Sequence, residues 1–482
     1  MLNTENESVM NRNRFHAYLE SIKSYIKEIS EAISGTEADY TSISLRKALL
    51  LLSIPMVLEM SMESVFTIVD IYFVSKLGAD ATSIVGLTES MLTVLYAFGI
   101  GFAISATAMV SRRIGEKEPR LAANAAFNAI MVAVVVSIAI SYVGLLYSDD
   151  LLRLMGATEA AIQSHGGYTR WMLGGNITIM FLFLLNGIFR GAGDAAVAFR
   201  VLLIANSINV VLDPMLILGI GPFPELGVEG AAIATNIGRG VGVLFQLAIL
   251  FNANGRIRFL PGDLLPDFEQ VKSFVKLSAS GIAQLLIATT SWVGMVRIIS
   301  EFGSVTVAGY TIGIRLIVFA MLPSVGLSNA AATLVGQNLG AGKPGQAERS
   351  VWTTGVANAL FLGLIGLLMV IWPGPFIRLL VNDPDVVQKG IECLRIISMG
   401  FVAYGFGMVV VNSLNGAGDT YTPMIINLFC FWLLEIPLAY LLAIKMGMNE
   451  HGVYYAIVIA ESTMTLTSIL VFRRGRWKLK RV

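Results

Sequence analysis

Long apolar runs separated by short polar breaks make up most of the chain after residue 45. Twelve of them reach twenty or more mostly apolar residues, the length a helix needs to cross a bilayer. They predict spans at 47–75, 83–111, 120–147, 167–190, 196–219, 228–252, 271–301, 305–336, 346–372, 387–413, 421–447 and 452–473. Ahead of them Phe15, Tyr18, Leu19, Ile22, Ile26, Ile29 and Ile33 recur at helical spacing, with Lys23, Lys27 and Glu28 between. This pattern predicts an amphipathic helix, lying on the inner membrane surface or docked on the cytoplasmic face.

The first run, Lys47–Ser75, holds Glu59, Glu63 and Asp70 within its apolar length. At about 100° per residue, Glu63 falls roughly 40° and Asp70 roughly 20° from Glu59, so the three acids share one stripe. A charged acid at mid-membrane costs on the order of 3 kcal/mol or more. The stripe is therefore expected to face a protein interior or a water-filled cavity, as the ion-handling wall of a transporter. Pro55, Pro214 and Pro437 fall inside spans one, five and eleven and predict kinks there, because proline removes a backbone donor.

Composition agrees with the pattern. Of 482 residues, 55% are hydrophobic and 14% charged, against about 25% charged in soluble domains. The fold class is all-α integral membrane. The net charge of +1 says nothing of partners, but its arrangement does. With a cytoplasmic N-terminus, the inner segments collect Arg112, Arg113, Lys117, Arg120, Arg256, Arg258, Lys343 and the basic run Arg473–Arg481. The outer segments hold only Lys76, Arg153, Arg170, Arg378, Lys389 and Lys445. By the positive-inside rule both termini are expected in the cytoplasm, in a plasma (inner) membrane protein with an even number of spans. The basic tail reads as an anchor near anionic lipid, not as a nucleic-acid patch. Cys393 and Cys430 lie in apolar segments and suggest neither a disulfide framework nor a zinc site. The polar first forty residues exclude a cleavable signal peptide.

An internal repeat has a constant offset of 225. It maps Ser53 onto Ser278, Gly78 onto Gly303, Gly115 onto Gly340, Gly227 onto Gly452, and Gly191-Ala-Gly-Asp194 onto Gly416-Ala-Gly-Asp419. Six spans per repeat preserve orientation, so the halves are parallel repeats about an axis along the membrane normal. The expected organisation is a cytoplasmic N-terminal segment (1–45), a first lobe (46–252), a linker (253–276), a second lobe (277–473) and a basic tail (474–482). The lobes flank a central cleft in a monomer.

Several stretches carry a family resemblance. They are Val69-Asp70 with Phe73-Val-Ser-Lys-Leu-Gly78, Phe189-Arg-Gly-Ala-Gly-Asp194, Asn209-Val-Val-Leu-Asp213-Pro214, Gly230-Ala-Ala-Ile-Ala-Thr235, Gly336-Gln-Asn-Leu-Gly-Ala-Gly342 and Asn415-Gly-Ala-Gly-Asp419. Together they resemble the multidrug and toxic compound extrusion (MATE) family over residues 40–475. The resemblance implies export of cationic, often aromatic compounds in exchange for H⁺ or Na⁺, by two V-shaped six-helix lobes that alternate in access. In the damage-inducible and archaeal branch a carboxylate pair on spans one and five carries the coupling. Asp70 and Asp213 match it, with Asn209 and Thr235 as the polar groups beside them. Phe66 departs from the tyrosine such relatives often have. The other branch uses acids on spans seven and ten, where this chain has only Glu301 and Glu392 near span ends.

The residue chemistry stands beside that resemblance. Burial and a neighbouring carboxylate both disfavour ionised acids, so the Asp70–Asp213 pair suits proton binding. Asn209, Thr235 and the carbonyl freed by Pro214 add hard oxygens, so Na⁺ suits it equally. No organic cofactor is implied. Glu59, Glu63 and Glu89 either attract organic cations and protons or pair with Arg239, Arg297 and Arg315. Glu435 and Glu461 are the second lobe's mid-membrane acids, lining a substrate cavity or making helix contacts. Met91, Tyr96, Trp292, Tyr310, Phe319, Met321 and Tyr404 suit a promiscuous pocket as well as packing. Two alternatives are a lipid-linked oligosaccharide flippase and a membrane prenyltransferase-type enzyme with Mg²⁺ at Glu59 and Glu63. Mid-membrane acids outnumber bases, against the first. The repeat and the lack of a second acidic cluster weigh against the second.

Overall fold

The computed structural model describes residues 26–36, 38–74, 79–252, 255–260, 262 and 264–482, without the side chains of 64–74 and 79. The amphipathic segment before residue 26, motif residues 75–78 and the side chains of Phe66 and Asp70 lie outside that description.

Twelve long helical segments follow in order: α1 (Leu45–Val74), α2 (Ala79–Gly115), α3 (Pro119–Leu154), α4 (Gly167–Ala192), α5 (Ala195–Leu218), α6 (Gly227–Leu250), α7 (Phe268–Ile299), α8 (Ser304–Gly340), α9 (Pro344–Ile371), α10 (Pro384–Ser398 continued by Phe401–Gly416), α11 (Tyr421–Lys445) and α12 (Glu450–Arg473). Ten are individually long and apolar enough to cross a membrane, and the broken α10 makes eleven. The acid-bearing α1 is the twelfth. No strand occurs among the described residues.

Pro55 and Pro214 lie inside helices that continue past them. A sharp bend, 57°, falls in α10. There Met399 and Gly400 donate to Ile396 and Ile397, three residues back, which tightens and ends the first helix. Around Pro437, α11 widens into π-helix at Leu428–Glu435 and Leu441–Lys445.

The repeat is visible as contacts between its copies. A Cβ on Gly115 of α2 would lie 2.0 Å from the Gln337 carbonyl oxygen, and one on Gly340 of α8 would lie 2.1 Å from that of Arg112. Gly115 and Gly340 are repeat partners, and so are Arg112 and Gln337. The pair of contacts is one close helix crossing seen twice across the pseudo-two-fold axis. A second crossing behaves alike: a Cβ on Gly101 would meet the Ile282 nitrogen at 2.8 Å, and one on Gly326 the Val57 nitrogen at 2.7 Å. Only residues without side chains let the two lobes approach this closely.

Both ends of the described chain close over these crossings. Arg112 and Arg113 of the first lobe donate to the carbonyls of Lys480 (2.9 Å) and Val482 (3.1 Å), while Lys480 reaches Asp419 of the second lobe at 3.0 Å. Trp477 is buried, stacked on Phe472. On the other side Arg256 donates to the carbonyls of Thr36, Ala38 and Ala192, and the Tyr40 hydroxyl donates to the Gly193 carbonyl (2.9 Å). Burial pushes the Tyr40 phenol up to about 12. Lys343, between α8 and α9, donates to the Thr41 carbonyl at 2.8 Å. Residues 36–43 and 476–482 thus bridge the lobes at one end of the bundle.

Gly115→Ala or Gly340→Ala is expected to cost about 1–3 kcal/mol, read as a lower melting temperature in detergent. Gly345→Ala, where the added methyl meets open space, is expected to melt as the parent does.

Candidate functional site

Helix α5 places Asn209 and Asp213 one turn apart on the face that packs against α6. Close packing at Gly238, where a Cβ would meet the Ala205 carbonyl oxygen at 2.6 Å, brings Thr235 into reach. Asn209 Nδ2 donates to Thr235 Oγ1 at 3.0 Å. Asp213 is fully buried. Its neighbour Pro214 removes the donor that the Val210 carbonyl would otherwise receive. Three of the four residues matched to a coupling site therefore lie where α5 and α6 pack in the first lobe. Asp70 sits on α1, and its side chain is outside the described residues.

The other acids of the α1 stripe divide. Glu59 is 1% exposed and pairs with Arg190 of α4 at 3.2 Å. Asn186 donates to the same Glu59 oxygen at 3.0 Å, and Gln246 of α6 donates to Asn186 at 2.6 Å. The partner is thus Arg190 and none of Arg239, Arg297 or Arg315, which were the bases expected to neutralise Glu59. Arg190 lies in the glycine-containing motif at the end of α4, and its reach along the helix brings the charge back into the lobe. Glu63 instead interacts with Arg239 of α6, as do Glu89 and Tyr96 of α2. Arg297, expected to be buried, is 75% exposed and pairs with Glu301 at 2.9 Å. Arg315 is exposed as well.

The repeat explains the Glu59 network. Glu59 maps onto Gln284 and Arg190 onto Asn415. In the second lobe those two amides exchange hydrogen bonds, Gln284 to Asn415 at 3.1 Å and Asn415 to Gln284 at 3.2 Å. An ion pair in one lobe and an amide pair in the other fill the same place. Sequence reading missed Arg190, Asn186 and Gln246, although applying the 225 offset to Glu59 would have pointed to the site.

In the second lobe Glu435 and Glu461 are both buried, against Ser291 and Tyr404 respectively. A different cluster, Glu392, Glu450 and His451, has the spacing of a metal site, but Lys389 sits on both glutamates.

The MatE family model matches residues 55–215 and 280–441, one block in each lobe. The chain belongs to the MatE family. This MatE chain is 25% identical over 439 residues to the probable multidrug resistance protein NorM of Thermotoga maritima, covering 91% of this chain and 94% of that one. It is 23% identical to the FAD transporter of Shewanella oneidensis over 83% of its own length and 88% of the relative's. Its fold matches that of MATE crystallised with MaL6, with a TM-score of 0.85 and 25% identity over 92% of this chain and 99% of that one. A MOP superfamily transporter from Pyrococcus furiosus has the same TM-score at 24% identity, over 93% of this chain and 100% of that one. The MatE chain is a multi-pass membrane transporter of the multidrug-efflux kind, with twelve helices in two lobes, and not an enzyme.

Truncating one side of a buried ion pair costs about 3–5 kcal/mol, whereas replacing both sides is often neutral. Glu59→Gln alone is expected to lower the yield of monodisperse protein several-fold. Glu59→Gln with Arg190→Asn, the second lobe's own pair, is expected to restore it, as measured by fluorescence-detected gel filtration.

Proposed function

We propose that this transporter exports cationic, aromatic organic compounds from the cytoplasm in exchange for protons. Residues 36–43 and 476–482 lie on the cytoplasmic side of the plasma membrane in this reading, supported by the Lys and Arg bias of that end. The observation that carries the coupling role is the burial of Asp213 in the first lobe, beside the hydrogen-bonded Asn209 and Thr235. A carboxylate in that position binds a proton when the cleft faces out and releases it when the cleft faces in. Asp70 is assigned as its partner, from its match to the family motif. The MATE and multidrug names of the relatives support the substrate class.

Glu63, Glu89 and Tyr96, gathered around Arg239 at the junction of α1, α2 and α6, are assigned to the substrate path. Acids and an aromatic face suit a flat organic cation. Glu59 is assigned to structure, because its charge is already matched within the lobe.

The test is ethidium transport in proteoliposomes with pH and Na⁺ gradients imposed separately. The parent is expected to move dye under a pH gradient. Asp213→Asn and Asp70→Asn are each expected to fold and to lose at least tenfold in rate. Normal transport by both variants under either gradient would overturn the assignment, and transport driven by Na⁺ alone would overturn the choice of proton.

A further inference from the structure

Helices α11 and α12 are the repeat counterparts of α5 and α6. They carry Glu435 and Glu461, which the 225 offset places on Val210 and Asn236, each one residue beyond Asn209 and Thr235. The two lobes thus hold polar groups at neighbouring positions of corresponding helices. In the first lobe they are an amide and a hydroxyl joined at 3.0 Å. In the second they are two carboxylic acids.

Those acids are 6% and 4% exposed. Ser291 Oγ of α7 donates to Glu435 Oε2 at 2.7 Å, and the Tyr404 hydroxyl of α10 donates to Glu461 Oε1. The other Glu461 oxygen is buried without a hydrogen-bond partner, and the buried hydroxyl of Tyr310 on α8 interacts electrostatically with Glu435. The two carboxyl groups also interact with each other. Tyr310, Tyr404 and Cys430 are the other titratable groups that face the pair. Among the described residues, no Lys, Arg or His makes an ion pair with either acid. Glu435 also closes a π-helical stretch, a backbone widening frequent at functional sites.

Two neighbouring carboxylates in a low-dielectric interior, with no base to match them, do not both ionise. A proton supplies what the geometry lacks, a donor for the acceptor oxygens that Ser291 and Tyr404 leave unfilled. Ser291 Oγ also lies 3.1 Å from the Phe431 carbonyl oxygen, so it can donate there and accept from a protonated Glu435. We propose that Glu435 and Glu461 form a second proton-binding site, in the second lobe, where one of the two carboxyl groups holds a proton that exchanges by way of the half-buried Tyr404. This site stands on its own geometry and does not depend on the role given to Asp213.

The test counts protons bound by the purified full-length protein between about pH 5 and pH 9, using a pH indicator in weakly buffered detergent. Asp213→Asn with Asp70→Asn serves as the background, so that the first-lobe coupling pair does not enter and the remaining first-lobe acids cancel between variants. Glu461→Gln and Glu435→Gln are each expected to lower the count by about one, and added NaCl is expected to release no proton from the parent. An unchanged count in both variants, or proton release by Na⁺, would overturn the proposal. If neither glutamine variant folds, Tyr404→Phe decides, since it keeps both acids and removes one donor. The midpoint of that proton uptake is then expected to move by about half a pH unit or more, and an unmoved midpoint would overturn the site.

Discussion

A charge inside a bilayer must be matched within reach of its own side chain, and this chain has several such charges to match. Glu59 meets Arg190 inside the first lobe. Glu63 and Glu89 share Arg239 with Tyr96. Asp213 lies buried one turn from Asn209, which bonds Thr235, and Glu435 and Glu461 each accept from a hydroxyl. The way each acid is matched guides the proposed division between structure and transport. A carboxylate held by a guanidinium is already neutralised and has little reason to take up an ion. One set among amides and hydroxyls is better placed to change state by binding a cation. The amide pair Gln284–Asn415, standing where Glu59–Arg190 stands in the other lobe, shows that the first kind of site needs shape more than charge.

The same repeat logic governs how the lobes meet. Four glycines, Gly101, Gly115, Gly326 and Gly340, bring α2 and α8 against helices of the opposite lobe, in pairs related by the pseudo-two-fold axis. Such contacts are backbone against backbone, so they are rigid while made and leave few side chains to rearrange when broken. Residues 36–43 and 476–482 add polar bridges at that same end, through Arg112, Arg113, Lys343 and Lys480. A helix crossing that is closed or parted, with polar bridges beside it, is the kind of two-state element that the proposed alternation of access needs.

Much of the fold was legible in hydropathy, because a bilayer demands twenty apolar residues in a row and little else meets that demand. The twelve spans and the repeat follow from that constraint and from paired glycines. The break in α10 was not legible: Met399-Gly400 lacks proline, and the bend comes from a local change in hydrogen bonding that composition does not encode. Pro55 and Pro214, by contrast, sit in helices that continue past them. Helical periodicity put Glu59 and Glu63 on one stripe, but 40° of arc was enough to send them to different partners. Arg190 ends span four, and an arginine side chain is long enough to reach back toward the core.

The claim on which the rest turns is that an acid in the membrane exchanges a proton for each compound exported. The direct measurement records dye flux and luminal pH together in proteoliposomes of the parent protein, with no gradient but that of the dye. Coupled exchange predicts that downhill dye movement drives protons the opposite way, in fixed proportion, and that a protonophore abolishes the pH change. Dye movement that leaves luminal pH unchanged would contradict it.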